Sequence, residues 1–279
     1  MSYGPRPWLQ LHWDARAAAN FILGGTGAGL TALAAFAPLG ERLHQIAMLA
    51  GLALVAAGLA SVWMEIGRKL RAVHVFFNPF TSWMTRESFA ALALFAIGLS
   101  AVWTGTPLLY ALASLAALGF VYCQGRILRA SKGIPAWREP TVTWLVLWTA
   151  IGEGAGLLLA FVALAGSPIP AFAPGALGLA VVARALAWSV YRGRVESTLA
   201  PRARAALEPA GKQLYQLGAV APLALLVFGG AVDAYASVAA ALAGIFALAT
   251  GWRFKFVLVV RASFNQGFAL PRVPVRGGK

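Results

Sequence analysis

Apolar residues in this chain fall into blocks instead of stripes. Eight blocks occupy residues 17–38, 46–64, 88–104, 108–123, 142–164, 172–191, 214–232 and 234–252. Most approach the roughly 20 residues that a helix needs to cross the hydrocarbon core of a bilayer. They are rich in Ala, Leu and Gly and lack the apolar–polar alternation of barrel strands, so each predicts a spanning helix. A mixed basic and apolar stretch at 253–260 follows the last block. It suits the membrane interface, with its Lys and Arg reaching outward. The expected fold is an all-α integral membrane protein, with eight transmembrane helices in a single domain over 1–279.

The polar segments between the blocks alternate in length and charge. Long ones cover 65–87, 124–141 and 192–213, whereas those after blocks one, three, five and seven are short. Of the 23 Lys and Arg, all but Arg42 and Arg184 lie in the N-terminal segment, the long connections or the C-terminal segment. Positive charge stays cytoplasmic in short loops. Both termini and the long connections are therefore expected on the cytoplasmic side of a cell's inner membrane. Two basic turns echo each other, Gly67-Arg68-Lys69-Leu70-Arg71-Ala72 and Gly125-Arg126-Ile127-Leu128-Arg129-Ala130. Repeated topology signalling accounts for them, and contacts for an acidic partner are the sharper reading.

Composition narrows the class further. The chain has 279 residues, 60% hydrophobic and 11% charged, with a mean hydropathy of +0.73. Soluble domains carry about 25% charged residues, so a soluble enzyme is excluded. The formal net charge of +14 raises nucleic acid as a partner, but the charges sit between apolar blocks and form no separate basic domain. The single cysteine, Cys123, excludes a disulfide framework and a self-contained iron–sulfur cluster. Ten Trp fit aromatic belts at two membrane interfaces. No cleavable leader is evident, since Trp8, Trp13 and Asp14 precede a first block long enough to stay in the membrane.

Ionisable groups inside a bilayer are costly and so are functional candidates. Glu153 lies about 18 Å along the fifth span from its cytoplasmic end and Arg184 roughly 10 Å from the same face in the sixth, at 1.5 Å per residue. A Glu153–Arg184 pair across neighbouring helices is open to a structural reading and to a proton-path reading. A second set shares one membrane level: Asn20 opens span one, Glu65 closes span two, Glu87 opens span three and Tyr122 closes span four. A quinone needs an apolar slot, hydrogen-bond partners for two oxygens and a carboxylate or His that trades protons. This set supplies those parts, although position alone favours ordinary helix ends in the headgroup zone.

Gly24-Gly25-Thr26-Gly27-Ala28-Gly29 lacks the Lys-Ser/Thr ending of a phosphate loop and no strand precedes it. Close helix packing is the better reading. The only histidines, His12, His44 and His74, all fall outside the spans, so paired axial ligands for a transverse haem are not available. Metal-ligand spacing and nucleophile–base arrangements are likewise absent from the sequence.

Several stretches together carry a family resemblance. They are the segment from Trp8 to Gly29, Glu65-Ile66-Gly67-Arg68-Lys69-Leu70-Arg71-Ala72, Thr81-Ser82-Trp83-Met84-Thr85-Arg86-Glu87, and Pro135-Ala136-Trp137-Arg138-Glu139-Pro140. With them the chain resembles the membrane anchor subunits of molybdoenzymes of the dimethyl sulfoxide reductase and polysulfide reductase type, the NrfD-like anchors. The flavour is nearest to anchors of phenylacetyl-CoA:acceptor oxidoreductases. The resemblance implies a quinone- or quinol-binding anchor (menaquinone or ubiquinone) without haem. It also implies two partners: an iron–sulfur subunit docking on the cytoplasmic basic loops, and a molybdopterin catalytic subunit. By the same resemblance Glu87 matches the quinone-site Glu, and Asn20 and Tyr122 resemble polar residues lining the pocket. Trp83 could wall the quinone ring, one turn before Glu87, and Arg86 could tune that carboxyl. Where dimethyl-sulfoxide-type anchors carry His, this chain has Glu65, and Lys69 replaces a Pro, which leaves the proton-exchange group open.

Two other classes compete. A polytopic transporter or channel would use Glu153 and Arg184, but should show paired broken helices or repeat symmetry. A lipid-modifying enzyme would need a nucleophile or metal constellation.

Overall fold

A computed structural model of the chain describes residues 3–268. Eight helices long and apolar enough to cross a membrane dominate it: α1 (Ala15–Ala34), α2 (Glu41–Glu65), α3 (Trp83–Thr104), α4 (Pro107–Ala130), α5 (Thr141–Leu164), α6 (Phe172–Val195), α7 (Pro201–Ala231) and α8 (Asp233–Arg261). The protein is thus a polytopic helical membrane protein. Among the described residues, extended pairing is confined to one antiparallel bridge between Leu9 and Phe264. That bridge brings the segments before α1 and after α8 together at one end of the bundle.

Each expected span is matched by a helix, but most helices outrun their apolar blocks. α2 begins at Glu41 and α7 at Pro201, while α4 continues to Ala130. Hydropathy marks only the hydrocarbon-crossing stretch. Ending a helix strands four carbonyls or four amides, so the ladder continues through the headgroup zone until a cap or breaker intervenes. Such devices are visible at the ends. Asp14 accepts from the Arg16 amide, Ser82 from the Thr85 amide, and Pro107 and Pro201 sit in the first turns of α4 and α7. Gly105, at φ 68°, closes α3 in the left-handed conformation, so the turn to α4 needs only two residues. α1 stops short, at Ala34, because Pro38 holds the preceding residue in an extended conformation.

The interfacial reading of 253–260 needs correction. This stretch is the continuation of α8, and Lys255 is 1% exposed. The helix does not bend away after Trp252, so the Lys255 side chain faces the bundle instead of the headgroups.

α1 and α5 are the most enclosed helices. α1 packs on α2, α4 and α5, and α5 also lies against α6 and α8; α3 rests on α4 and α7 on α8. The closest crossings are made by glycines. A Cβ on Gly29 or Gly154 would collide with the other helix's backbone where α1 meets α5, and Gly156 and Gly244 do the same where α5 meets α8. The Gly-rich stretch of α1 is therefore a packing surface, as small residues are in other membrane helices.

Candidate functional site

Regular α-helix would satisfy every carbonyl inside a span. Three of these helices depart from it, with π-turns at Asn20–Gly24 in α1, Gln216–Val220 in α7 and Val257–Arg261 in α8. A π-turn shifts the ladder by one residue and leaves carbonyls short of their usual partner; such turns are common at functional sites. In hydrocarbon an unsatisfied carbonyl is costly, and buried side chains from other elements supply the missing donors. Gln124 Nε2 of α4 donates to Asn20 O at 2.9 Å, and Lys255 Nζ of α8 donates to Phe21 O at 2.9 Å. Arg184 of α6 donates to Gly218 O, and Trp137 Nε1 donates to Leu258 O at 2.8 Å.

The first of these turns forms one wall of a cavity of about 310 Å³. Asn20, Phe21 and Ala17 of α1 line it with Val62 and Glu65 of α2, Met84 and Glu87 of α3, Ile127 of α4, and His12 and Trp13 ahead of α1. The walls are mostly apolar, and the ionisable lining groups are Glu87, Glu65 and His12. Asn20 Nδ2 donates to Glu87 Oε1 at 3.0 Å. Both side chains are 5% exposed, and neither Asn20 Oδ1 nor Gln124 Oε1 has a hydrogen-bond partner. The site thus has a carboxyl whose side-chain partners are the neutral amides of Asn20 and Gln124, with no cation bonded to it. Such an arrangement can take up or release a proton.

Glu65, the last residue of α2, is half-buried and lines the same cavity. The structure therefore brings Asn20, Glu65 and Glu87 together, as their shared level suggests. Trp83, Arg86 and Tyr122 belong to a neighbouring cluster and do not line the cavity. There Trp83 is sandwiched between the guanidinium groups of Arg86, 4.2 Å from the ring centre, and Arg126, 4.1 Å away. Tyr122 meets the Trp83 ring edge-on at 6.0 Å and its hydroxyl accepts from Arg126 at 2.7 Å. Arg86 also donates to Pro79 O at 2.9 Å and Phe80 O at 2.6 Å, so it anchors the loop ahead of α3.

Gln124, His12 and Met84 escaped the reading of the sequence. Gln124 lies one residue beyond the fourth apolar block, and continuing that helix by a turn would have placed it inside the bundle. His12 and Met84 carry no local signal, because the approach of His12 depends on how the N-terminal segment folds at the end of the bundle and that of Met84 on the rotation of α3 about its axis.

The other buried carboxyl differs from the expectation. Glu153 does not pair with Arg184. Its Oε2 accepts from Lys255 Nζ at 2.6 Å and from Thr26 Oγ1 at 2.9 Å, and Trp252 Nε1 donates to Thr26 Oγ1 at 2.8 Å. Arg184 donates to Ala247 O at 3.0 Å, to Gly218 O and to Thr250 Oγ1 at 3.4 Å. The π-turn of α7 captures the guanidinium, while the inward continuation of α8 delivers an ammonium to Glu153. Neither Glu153 nor Arg184 lines the Asn20–Glu87 cavity. Among the described residues, no three His, Cys, Asp or Glu side chains converge as metal ligands would. Neither a comparison with models of known protein families nor one with curated proteins finds a match to this chain.

Proposed function

We propose that this chain is the quinone-exchanging membrane anchor of a multi-subunit oxidoreductase. The observation that carries the reading is the cavity with the Asn20–Glu87 pair in its wall and Glu65 on its lining. Its volume of about 310 Å³ falls at the lower end of ligand pockets, roughly 300–1,000 Å³, and its walls suit a flat apolar ring. Quinone chemistry moves two electrons and two protons per turnover. The residues of this chain would hold the ring and trade the protons. Glu87 is the proton-exchange group, and Asn20 keeps its carboxyl aimed along the wall. Glu65 and His12 lie on the same lining and connect it to the polar end of the bundle.

Electrons would come from, or go to, an iron–sulfur partner docked on the basic connections, with a molybdopterin subunit beyond it. Residues 68–71, 126–132 and 192–204 concentrate positive charge at the end of the bundle where α1 begins. Basic rims steer and orient an acidic partner more than they add affinity. With the charge rule, that end and both chain termini face the cytoplasm, and the chain resides in the inner membrane.

Equilibrium binding of a radiolabelled short-chain quinone analogue to the purified chain in lipid nanodiscs tests the reading. Saturable binding that a second quinone analogue displaces is expected; its absence would overturn the proposal. A complex isolated in mild detergent should show iron–sulfur absorption while the chain alone is colourless, and a haem spectrum from the chain alone would refute the account. Orientation is checked in a background lacking Cys123. Ser131→Cys should resist an impermeant thiol reagent in intact cells and Ser167→Cys should react; the reverse pattern inverts the topology.

A further inference from the structure

Asn20 and Phe21 are consecutive, both line the cavity, and both have main-chain carbonyls gripped from outside it. Gln124 reaches the first from α4 and Lys255 the second from α8. Lys255 is in turn held by Glu153 of α5 at 2.6 Å. Three helices that contribute little or nothing to the cavity lining thus converge on the π-turn of α1. The glycines explain how they get so close. A Cβ on Gly24 would lie 3.0 Å from Gln124 Nε2, and one on Gly25 would lie 2.5 Å from Lys255 Nζ. Bare backbone at these two positions lets both donors reach carbonyls that a side chain would screen.

Geometry links this grip to chemistry at the cavity. A π-turn is a strained alternative to continuous α-helix and persists where its loose carbonyls are bonded. If the α1 ladder relaxed to regular register, residues from Asn20 onward would rotate about the helix axis. Asn20 Nδ2 would leave Glu87, and Phe21 would leave the wall. We infer that Gln124 and Lys255 are positioning residues of the quinone site: they hold the Asn20–Gly24 π-turn open and thereby fix Asn20 against Glu87. Glu153 serves as the counter-ion that makes an ammonium tolerable at this depth. The inference rests on the quinone reading only for its functional consequence, because the link from Lys255 to Asn20 is a property of the fold.

Lys255→Met alone would strand the Glu153 carboxylate and endanger folding. The test therefore compares wild type with the double variant Glu153→Gln/Lys255→Met, which removes both charges together, and with Gln124→Leu, all in lipid nanodiscs. Two readouts are taken. The first is the infrared carboxyl band of Glu87, identified by its disappearance in Glu87→Gln. The second is affinity for the radiolabelled quinone analogue. Removing the Lys255 donor in the double variant should shift the Glu87 band and lower affinity at least about tenfold relative to wild type. Gln124→Leu should shift the same band relative to wild type, with some loss of thermal stability because Asn20 O loses its donor. An unmoved band in the double variant would overturn the inference, whatever Gln124→Leu or the quinone binding shows, because Gln124 also bonds Glu87 directly. A band that moves in a wild-type background that binds no quinone would uphold the positioning role and sink the functional reading instead.

Discussion

Two buried carboxyls in this bundle have opposite surroundings. Glu153, at 0% exposure, is closed in by an ammonium, a hydroxyl and close-packed glycines. Glu87, at 5% exposure, has a neutral amide on one side and a cavity on the other. A carboxylate locked to a cation with no space around it is suited to holding helices together. One with a neutral partner and room beside it can change its protonation and meet a ligand. In the sequence both are single acids, Glu153 within an apolar block and Glu87 at the edge of one. Their neighbours separate a structural acid from a chemical one.

The largest effect is expected from breaking the sealed pair on one side only. Lys255→Met leaves Glu153 buried and uncompensated, which costs about 3–5 kcal/mol. Thermal unfolding in detergent, or loss of the chain from membranes, measures it. Replacing both partners, as in Glu153→Gln/Lys255→Met, should recover most of that stability. If the double variant were as unstable as the single one, the pair would be doing something other than neutralising itself.

Glu87 should respond in the reverse way. Glu87→Gln keeps the shape and a hydrogen-bonding end, so the chain should accumulate and unfold like the wild type. Electron exchange with a quinone analogue should fall at least about tenfold, while activity with a soluble artificial electron carrier is kept. The loss reflects a proton-transfer group, for which about a hundredfold or more is typical. Unchanged quinone kinetics would reduce Glu87 to a helix-start residue and turn attention to Glu65 and His12 on the same lining.

The smallest effect sharpens the contrast from a third side. Arg192 and Glu208 form an ion pair at 2.6 Å with side chains 54% and 46% exposed. In that setting solvent screens the attraction, and a pair is worth about 0–1 kcal/mol. Arg192→Gln should leave thermal stability within that range. A loss comparable to that of Lys255→Met would show that this pair is shielded in the assembled protein.

The residues of the candidate site were unevenly legible. Asn20, Glu65 and Glu87 announced themselves because a polar side chain at a helix end stands out against an apolar block, and helix order alone sets their common level. Gln124 was missed by one position, since hydropathy reports where hydrocarbon ends and not where the ladder stops. Trp83, Arg86 and Tyr122 share the level of the site but face a different gap, and a level does not specify an azimuth. The expected Glu153–Arg184 pair failed for a related reason. Adjacent spans in sequence suggest a partner, whereas the actual partner came from α8, about a hundred residues further along.

The sequence by itself determined eight helices long and apolar enough to cross a membrane among the described residues, roughly where each apolar stretch lies, and which end of the bundle is basic. Those features depend on the transfer of apolar side chains and the siting of charges, which are additive along the chain. Only the tertiary structure decided where the ladders would shift into π-turns, which carbonyls they would release, and which buried donor would take each one. Those outcomes depend on the rotation of each helix about its axis and on glycine-scale distances between backbones. No local pattern encodes them, because every backbone group and charge in hydrocarbon must find its partner among all the helices at once.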